Sequence, residues 1–211
     1  MLTVGLCGGS GTGKNLVQAM LLPLGIPGID TDAVYHRLIA APSPLTEALS
    51  HRFGKAILAP DGSVDRRRLR DIVFSDGKEA KEALTDLNRI SHAEVLSECR
   101  AWLSEQKREG AVAAVVNAPL LWESGFHTEC DMTVAVLADE AVRLSRVIAR
   151  DGLTEEEACR RIERQCDDAF LCEHADFVIK NSGTEEALRE QVLLLKEYII
   201  NLAKEQSNGK L

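Results

Sequence analysis

The sequence predicts an α/β fold in which a parallel five-stranded sheet is covered by helices on both faces. Short apolar runs alternate with stretches of helical periodicity, and the runs are apolar throughout, as in strands buried on both sides. Between the first run and the first helical stretch, residues 8–14 read GGSGTGK, which is the spacing of a phosphate-binding P-loop. We therefore expect the chain to bind a nucleotide phosphate at one end of its sheet.

In chain order, the predicted strands cover residues 2–7, 25–30, 111–116, 132–137 and 177–179. Helical spacing of apolar residues follows the glycine-rich loop, continues over residues 34–53 with a break at two prolines, and returns after residue 139. A last helix, capped by Thr184, is expected to reach about Ala203, and the polar tail at 205–211 is expected to be frayed.

Residues 65–107 show helical periodicity alone, which is more than a crossover between two parallel strands requires. We therefore predict a single P-loop chain with a helical, substrate-binding insertion at residues 61–107. The nucleotide-binding core would comprise residues 1–60 and 108–211, with a lid at about 146–172.

Composition limits the classes of function. The 211 residues are 45% hydrophobic and carry a formal net charge of −8, which argues against a nucleic-acid duplex as the main partner. No apolar run approaches the roughly 20 residues that a membrane-spanning helix needs, and the N-terminus lacks the pattern of a signal peptide. The six cysteines show no metal-binding spacing and are expected to be reduced, so we expect a cytoplasmic protein.

The glycine-rich loop has a physical reason to bind phosphate. Glycine allows the backbone to curl until several N–H groups point inward, and the helix that follows adds the positive end of its dipole. Lys14 supplies a mobile positive charge, and a chance glycine-rich turn is the less favoured alternative. The candidate phosphate ligands are Gly9, Ser10, Gly11, Thr12, Gly13 and Lys14.

One position departs from the P-loop pattern. The residue after Lys14 is usually Ser or Thr, whose hydroxyl binds Mg²⁺, and here it is Asn15. We predict that Asn15 acts on the metal through a bound water or contacts a phosphate, because its amide reaches one atom further than a hydroxyl.

Polar side chains follow the predicted strands, where ligands bind in parallel sheets. They are Asp32, Asn117, Asp139 and Asn181. Asp30 and Asp32 are two residues apart and would point the same way if the backbone stayed extended. Asp32 is predicted to orient and deprotonate an acceptor hydroxyl, or to hold hydrated Mg²⁺. Either aspartate could instead cap the next helix, an alternative that fits Asp30 better than Asp32.

Arginines cluster in the predicted lid, whose second helix begins at residues 154–157 (TEEE) and runs through Gln165. Guanidinium groups suit phosphoryl oxygens that gain charge during transfer, although most charged residues on helices are simply solvated. Arg146 and Arg150 share a helix face and are preferred over Arg143. The whole group is Arg143, Arg146, Arg150, Arg160, Arg161 and Arg164. A second group, Arg66–Arg68 with Arg70, could bind an anionic acceptor. His92 stands among apolar helical positions, so its own surroundings favour a packing role.

Several ordered motifs resemble the dephospho-coenzyme A kinase family, collinearly over residues 2–185. They are the P-loop, IDTD at 29–32, DGSVDR at 61–66, ISH at 90–92, PLLWE at 119–123, the lid pattern from Arg146 to Gln165, and ADFVIKNSG at 175–183. This chain has Ala93 where a proline is usual and Lys180 where an acid is common.

The resemblance implies an enzyme that phosphorylates the ribose 3′-hydroxyl of dephospho-CoA with ATP and Mg²⁺, the last step of CoA biosynthesis. It implies that Asp32 lies at the acceptor hydroxyl, Asn181 near the adenine, and His92 in the CoA-binding insertion. From their charge and position, we predict catalytic roles for Lys14, Arg150 and Arg161. The residues that the resemblance implies near the acceptor are Pro119, Leu120, Leu121 and Glu123, and the charge of Arg66 makes it a further candidate there.

Two alternatives remain open from the sequence. Another P-loop kinase could act on a nucleoside or a small alcohol, although the helical insertion and the PLL motif argue against it. A nucleotide-binding regulatory module without turnover is the second, and Asn15 is the feature that points to it.

Overall fold

A computed structural model describes residues 1–75, 77–163 and 167–208 of the chain. The predicted site residues Arg164 and Gln165 lie outside the described residues. All five predicted strands are present, β1 (Leu2–Cys7), β2 (Gly28–Asp30), β3 (Ala113–Asn117), β4 (Met132–Leu137) and β5 (Phe177–Lys180). They form one sheet in the order β2-β3-β1-β4-β5, and each neighbouring pair is parallel.

Within the described residues, the helices also follow the predicted order. They are α1 (Lys14–Leu21), α2 (Thr31–Ile39), α3 (Pro44–Phe53), α4 (Arg66–Val73), α5 (Lys78–Arg108), α6 (Glu140–Asp151), α7 (Glu155–Glu163), α8 (Asp168–His174) and α9 (Glu185–Asn208). The short helix α8 has no counterpart in the sequence prediction. The sequence predicts a frayed tail from residue 205, and this prediction is wrong for residues 205–208, where α9 continues. Leu202 and Ala203, just before this stretch, pack on the core.

The chain divides into two compact units. The first comprises Met1–Asp30 and Leu103–Leu211, and the second comprises Thr31–Trp102. The second unit is helical and begins earlier along the chain than the insertion predicted at residue 61, because it also contains α2 and α3.

The core of the first unit forms on one face of the sheet. Alternate residues of β1 point to this face, where α1 and α9 cover them. The buried side chains of this face include Leu2, Val4, Leu6, Val17, Val134, Ile179, Leu188 and Val192. On the opposite face, Gly5 leaves room for Leu121 and Cys130, since a Cβ on Gly5 would lie 2.8 Å from Leu121 Cδ2.

The pairing register brings the polar strand ends together at one edge of the sheet. Asn117, the last residue of β3, pairs with Leu6 near the end of β1, directly before the glycine-rich loop. Asn181 follows β5 and donates its backbone N–H to the carbonyl of Leu137 at the end of β4 over 2.7 Å. The loop therefore leaves the sheet between two strand ends that carry amide side chains.

Local capping explains where the helices of the second unit begin. Ser43 and Thr46 form a reciprocal capping box at the start of α3. The Asp65 carboxylate accepts hydrogen bonds from the backbone N–H groups of Arg67 and Arg68, which begins α4.

Over the residues that the structure describes, no helix is both long enough and apolar enough to cross a membrane.

Candidate active site

The phosphate loop, residues 8–14, has a backbone that only glycine permits at three positions. Gly8, Gly11 and Gly13 all have positive φ angles, of 141°, 79° and 93°. A Cβ at Gly8 would lie 2.2 Å from the carbonyl oxygen of Val136, and one at Gly11 would lie 2.6 Å from that of Arg143. These glycines allow the loop to pack directly against the ends of β4 and α6.

Three successive carbonyl groups of the phosphate loop are hydrogen-bonded by side chains outside it. Arg143 Nε donates to the carbonyl of Ser10 over 3.1 Å, and Arg146 Nη1 donates to that of Gly11 over 3.2 Å. Asn181 Nδ2 donates to the carbonyl of Thr12 over 2.8 Å. A carbonyl held from outside does not turn its negative end toward a bound anion, so this arrangement favours phosphate on the inner side of the loop.

Lys14 folds back over the phosphate loop. Its ammonium donates to the carbonyl oxygens of Gly8 and Gly9, at 2.7 and 3.3 Å, and the residue is 8% exposed. Lys14 is also the first residue of α1, so its charge adds to the positive end of the helix dipole. The ammonium of Lys14 and the start of α1 therefore place positive charge at the loop, which suits a phosphate group.

Asn15 belongs to a chain of amides at the start of α1. Its Nδ2 donates to Oδ2 of Asp30 over 3.2 Å, and its Oδ1 accepts a hydrogen bond from Asn117 over 2.8 Å. Asn117 also donates to Oε1 of Gln18 over 2.9 Å. The sequence prediction for Asn15 did not include these partners, because they come from strands distant in sequence.

The oxygens around Asn15 suit Mg²⁺, the metal that the family resemblance implies. Mg²⁺ typically takes one or two protein oxygens and fills its octahedron with phosphates and waters. Asp30 and Asn15 offer such oxygens beside the loop. Among the described residues, no cluster of three or more His, Cys, Asp or Glu side chains could hold a metal ion.

Asp30 and Asp32 do not share an extended backbone. Asp30 is the last residue of β2, and α2 begins at the next residue, so Asp32 lies in the first helical turn of the second unit. The extended backbone that would make the two carboxylates point the same way is therefore absent at Asp32. Asp30 contacts Asn15 and belongs to the loop side of the site, whereas the role of Asp32 stays a prediction.

Arg150 and Arg161, the predicted catalytic arginines, meet at one carboxylate. Arg150 donates two hydrogen bonds of 2.8 Å to Asp151, and Arg161 donates to the same carboxylate over 2.8 Å. The hydrogen bonds from Arg150 lower the pKa of the Asp151 carboxyl, and the charges of both arginines lower it further. The two arginine side chains are 57% and 49% exposed, so they remain accessible to a ligand.

Arg143 is the site residue that the sequence reasoning undervalued. Its side chain is 6% exposed, forms an ion pair with Asp168, and holds the phosphate loop through Ser10. Arg146 and Arg150 both lie on α6, where Arg146 donates to the loop carbonyl of Gly11 and Arg150 donates to Asp151. Arg143 could have been identified from its position in the chain, because it lies in the first turn of the helix that follows the end of β4.

The acceptor segment, residues 119–123, divides into exposed and buried positions. Leu120 is 47% exposed and Glu123 is exposed, whereas Leu121 is fully buried against Gly5. Because the Leu121 side chain is covered, the predicted contact of Leu121 with the acceptor stays a prediction for its backbone alone. Pro119 is half-buried and follows the strand end at Asn117 closely.

The second unit contains a cavity of about 410 Å³ that combines apolar walls with guanidinium groups. Burial raises the pKa of the Tyr35 hydroxyl there, and the charge of Arg66 partly offsets that rise. His92 lies half-buried on α5. The cavity is lined by Tyr35, Arg66, Arg67, Leu69, Arg70, Val73, Phe74 and Leu87.

One protein-family model matches most of the chain. The family model for dephospho-CoA kinase matches residues 2–186. A dephospho-CoA kinase of Geobacillus kaustophilus is 37% identical over 198 residues, which cover 93% of this chain and 96% of that protein.

Solved structures agree with the fold. The Thermus thermophilus protein TT1252 superposes with a TM-score of 0.74 at 33% identity, covering 93% of this chain and 97% of that one. A dephospho-CoA kinase of Campylobacter jejuni superposes with a TM-score of 0.68 at 24% identity, covering 94% and 97%. The second likeness supports the fold alone, which is that of a P-loop kinase.

Proposed function

This chain belongs to the dephospho-CoA kinase family, and from that premise we propose how its residues transfer the γ-phosphate of ATP to dephospho-CoA. The family activity is ATP-dependent phosphorylation in CoA biosynthesis. The roles of individual residues in this chain are our proposal.

The observation that best supports this proposal is that side chains outside the loop hydrogen-bond the carbonyls of Ser10, Gly11 and Thr12. A loop whose backbone is fixed before the ligand arrives spends no binding energy on ordering itself. Lys14 and the dipole of α1 would then bind the β- and γ-phosphates of ATP.

We assign the acceptor chemistry to Asp32. The 3′-oxygen of the ribose forms a bond to the γ-phosphorus, and the bond from that phosphorus to the β–γ bridging oxygen breaks. ADP leaves, and the proton of the hydroxyl passes to the Asp32 carboxylate. Arg150 and Arg161 would stabilise the charge that develops on the transferring group.

Mg²⁺, when bound, would neutralise part of the negative charge on the phosphates. We propose that the Asp30 carboxylate would hold it, directly or through water, and that Asn15 would act on it through a bound water. Arg66 and its neighbours in the second unit are proposed to bind the anionic part of dephospho-CoA, with His92, Pro119, Leu120 and Glu123 as further contacts.

An acceptor panel tests the proposed function. Purified protein is mixed with MgATP and with dephospho-CoA, adenosine, a nucleoside monophosphate or a small alcohol, and both ADP and the mass of the product are measured. We expect transfer to dephospho-CoA alone, and no transfer by the Lys14→Ala control. Efficient transfer to a nucleoside with none to dephospho-CoA would contradict the proposal, and ATP binding without any transfer would favour the regulatory module.

A further inference from the structure

Helix α8 contacts two parts of the first unit, Arg143 beside the phosphate loop and Trp122 in the acceptor segment. Asp168, its first residue, pairs with Arg143, which binds the phosphate loop at Ser10. Phe170 and His174 contact Trp122, which lies in the acceptor segment. One helix of seven residues thus touches both the nucleotide side and the segment that the family resemblance associates with the acceptor.

The first contact is charged and sheltered from solvent. Nη1 of Arg143 donates to both carboxylate oxygens of Asp168, at 3.1 and 3.3 Å, while Nε donates to the carbonyl of Ser10 at 3.1 Å. Because the guanidinium is nearly buried, its interactions are screened little by solvent. A single planar group therefore joins α8 to the loop, and a change of charge in the loop acts on it directly.

The second contact is aromatic. The Trp122 indole packs edge-on against Phe170, with ring centroids 5.4 Å apart, and against His174 at 5.9 Å. Phe170 and His174 stack on each other at 4.1 Å, so they present one surface to the indole. Trp122 also stacks on His127, with ring centroids 4.3 Å apart.

Ring packing, rather than hydrogen bonding, fixes the indole. Within the described part of the chain, the buried Nε1 of Trp122 and Nδ1 of His127 have no hydrogen-bond partner. A shift of α8 can therefore move Trp122 without breaking a hydrogen bond of its side chain, whereas the rings themselves must follow their neighbours.

We propose that α8 couples the phosphate loop to the acceptor segment, so that binding of ATP and binding of dephospho-CoA each strengthen the other. Asp168 and Arg143 are positioning residues in this coupling, and Trp122 with Phe170 transmits it. The inference rests on the proposed function, because it needs ATP in the loop and the acceptor at the segment. Coupling between two binding sites is reciprocal, so either ligand can report it.

The coupling factor is measurable as a ratio of dissociation constants. Dephospho-CoA is titrated by calorimetry with and without a saturating, non-hydrolysable ATP analogue and Mg²⁺. We expect the analogue to lower the dissociation constant of the parent by about fivefold or more, and to leave that of Asp168→Asn nearly unchanged. Glu173→Gln is the matched control, because it removes one charge from an exposed position of the same helix and should keep the parent ratio.

Trp122 supplies a second readout. The chain has two tryptophans, so a Trp102→Phe background leaves Trp122 as the only one. The ATP analogue should change its emission in this background and change it much less once Asp168→Asn is added. If Asp168→Asn fails to fold, Phe170→Leu keeps the Arg143 pair, breaks the aromatic contact, and should also lower the coupling ratio.

The possible outcomes separate the inference from the proposed function. A parent that phosphorylates dephospho-CoA but shows a coupling ratio near one and constant Trp122 emission would overturn the inference alone. A parent that binds no dephospho-CoA would overturn both. Equal coupling ratios in the parent and in the Asp168→Asn and Phe170→Leu variants would mean that α8 merely packs there.

Discussion

The side-chain amide of Asn181 occupies the space that a Cβ on Gly13 would need, with 2.2 Å between Nδ2 and the ideal Cβ position. The same nitrogen donates to the carbonyl of Thr12. The amide of Asn181 thus fixes the loop where the loop turns into α1. The family resemblance associates Asn181 with the adenine, and its contact with the loop gives the residue a second role.

Gly13→Ala should therefore weaken ATP binding by at least about tenfold, because the methyl group must displace Asn181 and its hydrogen bond to the loop. Gly25→Ala is the matched control, since Gly25 also has a positive φ angle, of 84°, but nothing lies within 4 Å of its Cβ position. Both variants should lose folding stability through backbone strain, by about 1–2 kcal/mol. Calorimetric titration with MgATP and thermal melts check this, and equal ATP affinity of the two variants would contradict it.

Asp32→Asn should lower the turnover number by about 10²–10⁴ while ATP binding is largely kept, as is typical when a general base is lost. Asp30→Asn is the comparison, because Asp30 contacts Asn15 beside the loop. We expect it to affect the Mg²⁺ requirement more than turnover. Steady-state kinetics at saturating dephospho-CoA separate the two effects, and an Asp32→Asn enzyme with the parent turnover number would remove Asp32 from the mechanism.

Arg150→Ala and Arg161→Ala should each lower the turnover number by up to about 10² and change the ATP Michaelis constant less. Stabilisation of charge in the transition state appears chiefly in turnover. Arg160→Ala, at an exposed neighbouring position of α7, is the control and should resemble the parent. Kinetics that change only in the ATP Michaelis constant would show that the two arginines bind ground-state phosphate instead.

Burial raises the pKa of the Cys130 thiol to about 12, and the charges of Glu129 and Asp131 add to the rise. The folded state therefore keeps the thiol proton above pH 9, where the unfolded chain releases it. The resulting stability is present below about pH 9 and is lost as the pH rises toward 12, by at most ~1.4 kcal/mol per pH unit. Urea unfolding of the parent and Cys130→Ala between pH 8 and 10.5 checks this. Above pH 9 the unfolding free energy of the parent should fall relative to that of Cys130→Ala. A difference that stays constant with pH would contradict the raised pKa of the Cys130 thiol.

The fold could be predicted from the sequence because its determinants are local. Apolar runs mark buried strands, and the glycines at 8–13 mark a backbone that only glycine permits. Strand β2 is shorter than predicted because the segment before Gly28 holds a left-handed turn at Gly25, with a φ angle of 84°.

The candidate site was only partly predictable, because its contacts join distant parts of the chain. Spacing indicates that Arg146 and Arg150 share a helix face, but it does not say that the loop meets α6 at Arg143. Leu121 belongs to a motif of the family, yet only the packing against Gly5 shows that its side chain is buried. The partners of Asn15 likewise come from the ends of β2 and β3.

Those partners decide what Asn15 can do for Mg²⁺. Its Oδ1 already accepts a hydrogen bond from Asn117, and its Nδ2 donates to Asp30. The amide is thus held between two neighbours, so that it orients the Asp30 carboxylate more readily than it enters the octahedron of a small ion. We expect an active enzyme that needs more Mg²⁺ than one with a hydroxyl residue at this position.

Asn15→Ser should lower the Mg²⁺ concentration for half-maximal rate by about fivefold, the equivalent of ~1 kcal/mol for one polar contact. A serine hydroxyl at the first turn of α1 reaches the ion directly, which the amide does not. Asn15→Ala is the matched control, since it removes the same hydrogen bonds without supplying a hydroxyl, and it should not lower the requirement. Lys14→Ala should abolish activity at every Mg²⁺ concentration.

The measurement is a Mg²⁺ titration of rate at saturating ATP and dephospho-CoA. Coincident curves for the parent and Asn15→Ser would show that position 15 is neutral, and a parent that is inactive throughout beside an active Ser variant would favour a regulatory module.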